Sequence, residues 1–215
     1  MINASAADEL VGNTIKEIFK RAEGIAELHA CLTSPRGDNF RLRLLHAAEV
    51  PLGETAIEKL RADSGAKESH RHLNKLLRFG LIREEEAGGR KEYIRTAMGE
   101  QAVNAVREFE RRVGKEAAET IYSASLGPNS IRFFARVYGD QKEVSREHFH
   151  IRYTPAEIGA LSLFLPRTIE GLSAIDKLNE AKLLVYQGDN HIYMQPIKAR
   201  SFYQYLQRLY IIVKA

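Results

Sequence analysis

Residues 64–99 constrain the fold of this chain more than any other stretch, because a helical pattern, a turn pattern and an alternating pattern follow one another there. Small and apolar residues first recur three or four positions apart, which predicts a helix with one buried face: Ala66, Ser69, Leu73, Leu76 and Leu77. Gly80 ends this helix, and Gly88 and Gly89 supply turn residues that adopt positive φ readily. The stretch therefore predicts a helix followed by a two-stranded hairpin, with Thr96 capping the next helix.

The predicted helix and hairpin carry a basic surface. Its candidate DNA-binding residues are Lys67, Ser69, His70, Arg71, Asn74, Lys75 and Arg78 on the helix and Arg90 and Lys91 at the hairpin tip. Glu68 is the one acid between residues 65 and 80. Lys and Arg donors pair with phosphate oxygens and with guanine edges in the major groove. We expect two groups of contacts, to phosphates by Lys75, Arg78, Arg90 and Lys91 and to base edges by Lys67, His70 and Arg71.

Residues 71–73, ArgHisLeu, and residues 80–82, GlyLeuIle, are typical of the end of a recognition helix and of the turn into a basic β-wing. On these motifs the chain resembles the winged-helix transcription regulators of the MarR-like and ArsR-like families, over residues 36–120. The resemblance implies a DNA-binding domain whose helix enters the major groove while the hairpin flanks it. Lys67 and Glu68 depart from the family pattern, which often has a small hydroxyl or β-branched pair there.

Helical patterns on both sides complete the predicted domain. Residues 40–48 and 54–62 are predicted to form two helices, whose apolar side chains supply a core for the recognition helix. Residues 99–120 are predicted to form one long amphipathic helix that leaves the hairpin. We therefore expect a winged-helix DNA-binding domain over residues 34–124, with this connecting helix included.

A regular seam of apolar positions precedes this domain, in a helix predicted over residues 5–32. The seam alternates four and three residues apart, as in a heptad repeat: Val11, Ile15, Ile18, Ala22, Ile25, His29 and Leu32. Such a seam packs either on the helix's own domain or on a second copy of the helix in a homodimer. Gly12 and Gly24 disfavour a free-standing coiled coil, whereas a two-fold dimer places two recognition helices one DNA turn apart. Both interpretations stay open for residues 1–33.

The second half of the chain repeats the order of elements. Gly and Pro fall together in residues 125–129, which indicates a boundary. The elements predicted beyond it are helices over residues 130–138, 154–164 and 168–183 and a hairpin over residues 184–194. We expect a second, divergent winged-helix-like domain over residues 125–215, with an unrelated α/β ligand or dimerisation domain as the alternative. The predicted fold class is mainly α with small β-hairpins (α+β), with tandem winged-helix domains joined by a long helix and an N-terminal dimerisation helix.

The distribution of charged residues favours the first predicted domain over the second as the DNA-binding domain. The third helix region of the second domain balances three bases against three acids: Arg167, Lys177 and Lys182 against Glu170, Asp176 and Glu180. From residue 195 onward the chain has bases and no acid, at Lys198, Arg200, Arg208 and Lys214, so its last helix is a candidate for supplementary phosphate contacts.

Metal and enzyme chemistry find little support in the sequence. His148 and His150 would share one face of an extended segment, and His29 and Cys31 form a second short pair, yet neither has a third ligand at a recognisable spacing. No phosphate-binding loop, nucleophile elbow or zinc-protease helix occurs. We expect no metal, no cofactor and no catalytic activity. His72 is expected either to pack or to donate in the groove.

Composition is consistent with an intracellular DNA-binding protein. The 215 residues include 44% hydrophobic and 28% charged residues, with a formal charge of +4 that mildly favours a polyanionic partner. Cys31 is the single cysteine, which excludes an intramolecular disulfide and fits a reducing compartment. No apolar run approaches membrane-spanning length, and the first residues lack the pattern of a signal peptide. We expect a cytoplasmic protein without membrane contact.

These observations predict a homodimeric, sequence-specific transcription regulator that binds double-stranded DNA. Two alternatives stay open. A plasmid-type replication initiator also pairs two winged helices, and a winged-helix protein-interaction subunit would bind no DNA. The sequence does not specify a small-molecule effector.

Overall fold

The computed structural model describes residues 14–33, 40–139, 149–152, 169–187, 191–194 and 196–214. Its helices are α1 (residues 14–20), α2 (Ala22–Leu32), α3 (Phe40–Ala47), α4 (Glu54–Ser64), α5 (Ser69–Arg78), α6 (Ala97–Val113), α7 (Lys115–Ser123), α8 (Pro128–Gly139), α9 (Ile169–Glu180) and α10 (Pro196–Lys214). Its strands are β1 (Leu52–Gly53), β2 (Ile82–Ala87), β3 (Arg90–Arg95), β4 (Phe149–Arg152), β5 (Leu184–Gln187) and β6 (His191–Met194). The protein is thus mainly helical with small antiparallel sheets, as predicted. The helix predicted over residues 154–164 lies outside the described residues.

The first sheet has the order β1-β3-β2. Gly88 and Gly89 form a two-residue turn with φ of 59° and 74°, and Ala87 pairs with Arg90 across it. This turn confirms the predicted hairpin. Strand β1 was not predicted, because two residues carry no alternation of their own and become a strand only by pairing with β3.

The second sheet repeats this order as β4-β6-β5. Strands β5 and β6 pair in register from Leu184 opposite Met194 to Gln187 opposite His191, which confirms the hairpin predicted there. Strand β4 pairs with β6 and was not predicted as an element. In both sheets the first strand along the chain therefore lies next to the last one.

Helices α5 and α9 end in the same way. Gly80 has a φ of 62°, its N–H donates to the Leu77 carbonyl, and the next N–H donates to the Leu76 carbonyl. Lys182 has a φ of 51°, its N–H donates to the Asn179 carbonyl at 2.9 Å, and the next N–H reaches back to Leu178. At the end of each helix, one residue in the left-handed conformation ends the helix and directs the chain into the following hairpin.

The long helix predicted over residues 99–120 is wrong, because Gly114 interrupts it. Gly114 has a φ of 85° and separates α6 from α7, which runs to Ser123. The beginning of α6 follows the prediction, since the Thr96 side chain accepts from the Gly99 N–H at 3.1 Å. A Cβ at Gly99 would lie 2.0 Å from the Leu81 carbonyl oxygen, so the helix begins against the end of the α5 turn.

The apolar seam of the N-terminal helix is buried within the chain itself. Helix α2 packs against α8 and α10, and α10 packs against α6. Ile25 and Leu32 of α2 are fully buried, and so is Ile18 of α1. A Cβ at Gly24 would lie 2.7 Å from Val213 Cγ1, so this glycine allows α2 and α10 to approach closely. Burial of the seam therefore needs no second chain, because α8 and α10 already cover it; Val11 lies outside the described residues.

One cluster of buried residues runs from Ile18 to Ile212. It includes Leu126, in the segment where the sequence indicated a boundary. The two halves of the chain therefore share a core. None of the helices in the part of the chain that the structure describes is long and apolar enough to cross a membrane.

Candidate nucleic-acid interface

A half-buried hydrogen bond at the first turn of α5 joins this helix to α4. The Ser69 hydroxyl donates to the Glu58 carboxylate at 2.7 Å, and Arg61 Nε donates to the same carboxylate at 2.6 Å. These hydrogen bonds, that of Ser69 first, lower the pKa of Glu58. Ser69 is itself buried. The structure gives this hydroxyl another role, because it fixes the start of α5. The predicted DNA contact of Ser69 stays a prediction.

The opposite side of α5 is exposed and carries no acid. Leu73 and Leu76 anchor the helix in the core. The exposed side chains on the other face are His70, Arg71, Asn74, Lys75 and Arg78, with Lys67 exposed just before the helix. The spacing of three and four residues places them on one stripe. The structure thus brings together six of the nine predicted residues on one surface, which we call the α5 stripe.

Arg78 has a partner that the sequence did not indicate. Its guanidinium pairs with the Glu27 carboxylate of α2. Both side chains are more than half exposed, at 65% and 58%, so water and phosphate still have access to the pair. The Arg78 guanidinium also lies 5.4 Å from the centre of the Phe79 ring. Because 51 residues separate Arg78 from Glu27, no local pattern could have predicted this pair.

His72 belongs to the packing side of α5. It is half-buried, and its ring meets the Phe40 ring edge-on with centres 5.1 Å apart. Of the two roles considered for it, packing therefore describes the free protein.

The hairpin is less basic than its tip suggests. Arg90 is exposed and makes no ion pair with any described residue, whereas Lys91 Nζ lies 2.7 Å from a Glu84 carboxylate oxygen. Their hydrogen bond lowers the pKa of Glu84 and raises that of Lys91. Over residues 82–95 the charges cancel: Arg83, Arg90, Lys91 and Arg95 against Glu84, Glu85, Glu86 and Glu92. Arg90 is consequently the predicted wing contact best placed to meet a phosphate.

Arg95 is a structural cation that the sequence did not distinguish from these. Its side chain is only 8% exposed and pairs with Glu100 at 2.7 Å and with Glu49 at 3.2 Å. Its Nη1 also donates to the Leu45 carbonyl at 3.3 Å. These contacts tie β3 to α3 and α6 and hold the hairpin at a fixed position beside α5.

Of the two candidate metal pairs, only His29 and Cys31 lie entirely within the described residues. His29 and Cys31 are both buried; His29 Nδ1 lies 3.2 Å from the Tyr205 hydroxyl, and burial raises the pKa of the Cys31 thiol. His150 lies in β4, and His148 falls outside the described residues. The described residues contain no group of three or more His, Cys, Asp or Glu side chains that could hold a metal ion.

The last helix presents a weaker basic surface. Arg200, Arg208 and Lys214 are exposed on α10, while Lys198 is half-buried. The aromatic side chains of α10 point inward, and Phe202, Tyr203 and Tyr205 are in the core. On α9 the side chains of Asp176 and Glu180 are exposed, and so is Lys182 just after the helix, which fits the predicted balance of charge; Arg167 lies outside the described residues.

Searches of protein-family models, of curated proteins and of solved structures find no match to this chain, so the α5 stripe and its hairpin are interpreted on their own geometry.

Proposed function

We propose that this chain is a sequence-specific DNA-binding transcription regulator of the winged-helix type. The observation that carries the proposal is the α5 stripe: between Ser69 and Arg78, a helix anchored by two buried leucines exposes basic side chains and an amide and no acid. Glu68, the N-cap residue of this helix, is an exposed acid beside the stripe. An amide and guanidinium groups on a single helical face are the donors that read base edges in the major groove. Structural helices on a protein surface usually mix acids with bases.

The element order around the stripe supports the winged-helix assignment. Helix α3, strand β1, helices α4 and α5 and the β2–β3 hairpin follow one another, and β1 joins the hairpin to make the sheet β1-β3-β2. This order fits the MarR-like and ArsR-like resemblance. In this proposal Arg71 and Asn74 face base edges, while Lys75 and Arg90 contact phosphates and fix the register.

The test compares a basic residue on the α5 stripe with a basic residue far from it. Arg71→Ala should weaken binding to a preferred site, selected from the protein's own promoter region, by about 1 to 3 kcal/mol, and binding to random DNA by less. Lys115→Ala is the matched control. It removes the same charge at the first residue of α7, beyond the far end of α6, and should leave affinity unchanged. Fluorescence anisotropy on labelled duplexes measures both.

Equal losses on both DNAs would make Arg71 a phosphate contact. Unchanged affinity in Arg71→Ala would overturn the assignment of α5 as the reading helix. If the intact chain binds no DNA at physiological salt, the winged-helix protein-interaction subunit becomes the better account, and the cancelled charge of the hairpin would favour it.

A second candidate function is a replication initiator with two winged helices, as in plasmid-type initiators. It is favoured by the matching ends of α5 and α9, by the shared strand order of the two sheets, and by the packing of α6, which follows the first hairpin, against α10, which follows the second. Such a chain would act as a monomer on direct repeats. The regulator would act as a homodimer on a palindrome, with an interface other than the α2 seam.

A further inference from the structure

Glu68 is an exposed carboxylate at the N-terminal end of the α5 stripe. It is the N-cap residue of α5, yet its side chain makes no capping hydrogen bond. No other side chain in the described part of the chain forms a hydrogen bond or an ion pair with it, although the exposed Arg71 follows in the first turn of α5. The acids that contact α5 from other helices, Glu58 and Glu27, both have cationic partners. Glu68 is therefore an acceptor that the free protein leaves unused.

A free carboxylate at this position is unfavourable on a surface that only neutralises phosphates. Glu68 lies between Lys67 and the first exposed basic side chains of α5, His70 and Arg71, and it repels the phosphate oxygens that those side chains attract. In helix-turn-helix proteins, however, the N-terminal residues of the recognition helix contact base edges. In the proposed complex Glu68 is consequently at the end of α5 that faces bases.

One base in the major groove has an edge that suits an ionised carboxylate, which accepts hydrogen bonds and donates none. Guanine and thymine present acceptors there, and adenine has an acceptor beside its amino group, whereas cytosine presents the N4 amino donor alone. The guanine paired with that cytosine keeps its O6 and N7 acceptors for a basic side chain. An acid and a base close together, as Glu68 and Arg71 are in the sequence, are thus complementary to the two edges of one C·G pair.

We propose that Glu68 determines specificity at one C·G pair of the DNA site, with its carboxylate on the cytosine N4 amino group and the Arg71 guanidinium on the guanine O6 and N7. This assignment rests on the proposed DNA-binding function and adds a class of target to it: duplexes that carry this pair in one orientation. Reversal of the pair exchanges the guanine acceptors with the cytosine donor, so the carboxylate then meets acceptors and the guanidinium meets a donor.

The test starts from the duplex that the intact wild-type chain selects from a randomised library. Each cytosine of that duplex is replaced in turn by the pyrimidin-2-one nucleoside, which lacks only the N4 amino group, and fluorescence anisotropy measures the affinity. At one position the replacement should weaken wild-type binding about tenfold to a hundredfold, the value of a hydrogen bond to a charged group. In Glu68→Ala the same replacement should have almost no effect, because the acceptor is already absent.

Glu116→Ala is the matched control. Glu116 is an exposed acid on α7, so this variant loses the same charge away from the α5 stripe and should keep the wild-type response to every replaced cytosine. Glu68→Gln adds a readout of base preference, since an amide pairs with adenine N6 and N7. In this variant the preference for cytosine over adenine at that position should fall by about fivefold or more.

The assignment is overturned if Glu68→Ala responds to every replaced cytosine as the wild-type chain does. It is also overturned if Glu68→Ala tightens binding to all duplexes equally, because Glu68 would then only repel phosphates; in both cases α5 remains the reading helix. Failure of the proposed function gives a different result. The wild-type chain would then select no duplex from the library, and the assignment of Glu68 would fall with it.

Discussion

Gly80 and Lys182 hold the same left-handed position at the ends of two helices, and only one of them is a glycine. A side chain in this conformation costs roughly 1 to 2 kcal/mol, because its Cβ crowds the neighbouring carbonyl oxygen. At Gly80 a Cβ would also lie 2.7 Å from Met98 Cε. The end of α9 at Lys182 therefore carries a backbone strain that the end of α5 at Gly80 does not.

Lys182→Gly should accordingly raise the free energy of unfolding by about 1 kcal/mol. Lys177→Gly is the matched control, because the same substitution inside α9 should lower it by about 1 kcal/mol. Gly80→Ala should lower it by about 1 to 2 kcal/mol. Urea denaturation followed by circular dichroism measures all three. A destabilised Lys182→Gly would show that the lysine side chain makes a contact worth more than the strain.

His29 links stability to pH through its burial. Its folded pKa is lowered to about 4, against 6.5 for the ordinary group, because burial penalises the charged form. The folded state thus binds fewer protons than the unfolded state between these two values. We expect stability to be complete above pH 6.5 and to fall by up to about 3 kcal/mol as the pH drops to 4. Urea titrations from pH 7 to pH 4 should show this loss. In His29→Phe the free energy of unfolding should fall less over the same pH range, because the contribution of His29 is absent.

At this scale the sequence predicts side-chain character better than side-chain partners. The buried Leu73 and Leu76 and the exposed Arg71 follow from helical spacing alone. Ser69 fits the same buried pattern, and yet its hydroxyl suggested a DNA contact. Its partner Glu58 lies 11 residues away, on another helix, and spacing within α5 contains no information about it.

The hairpin shows how charge within one element can cancel a local prediction. Two basic residues follow the Gly-Gly turn, but the strand opposite carries three glutamates in a row. Glu84 reaches diagonally to Lys91, since its direct neighbour in the register is Tyr93. We therefore expect Arg90 to contribute more than Lys91 to the proposed phosphate contacts of the hairpin.

Substitutions in the hairpin should change the salt dependence of DNA binding. Arg90→Ala with Lys91→Ala should weaken binding to all duplexes similarly and flatten the plot of log affinity against log salt by about one to two units. Arg90→Ala alone should produce most of the change. Glu84→Gln is the matched control with the opposite expected effect. It removes the carboxylate that pairs with Lys91, so DNA binding should become tighter. Loss of sequence discrimination with an unchanged salt slope would instead indicate that the hairpin reads bases in the minor groove.

Elements with their own periodicity were predictable, and elements defined by their neighbours were not. Helix α5, both hairpins and the Thr96 cap follow from local patterns. Strands β1 and β4 exist through pairing with β3 and β6, which are distant in sequence. The break at Gly114 was missed because the apolar stripe continues on both sides of it, and only the backbone conformation separates α6 from α7.

In the folded chain as a whole, the heptad seam packs against other helices of the same chain. A stripe of this kind needs an apolar partner surface, and sequence alone does not state whether that surface belongs to the same chain. Here α8 and α10 provide it, so the seam is part of an internal core. Whether the chain also forms a homodimer is a separate prediction, which depends on some other surface.

Ile25→Ala should lower the free energy of unfolding by about 2 to 5 kcal/mol, because it removes a fully buried side chain. Val50→Ala, at a side chain that is 62% exposed, is the control and should change it by less than about 0.5 kcal/mol. The loss at Ile25 should be the same at every protein concentration, since no second chain is involved. A loss that shrinks as concentration rises, with light scattering that reports a dimer, would place the seam between chains after all.

The contact between α2 and α10 also has a consequence for how the protein is made. More than 160 residues separate Leu32 from Pro196, so a ribosome adding about 5 to 20 residues per second needs roughly 10 to 30 seconds to travel between them. Throughout that interval the apolar sides of α1 and α2 have been synthesised, whereas α10, one of the two helices that cover α2, has not. The nascent chain thus displays Ile18, Ile25 and Leu32 to the surrounding solution, and a chaperone that shields apolar segments during translation should be found on it at that stage.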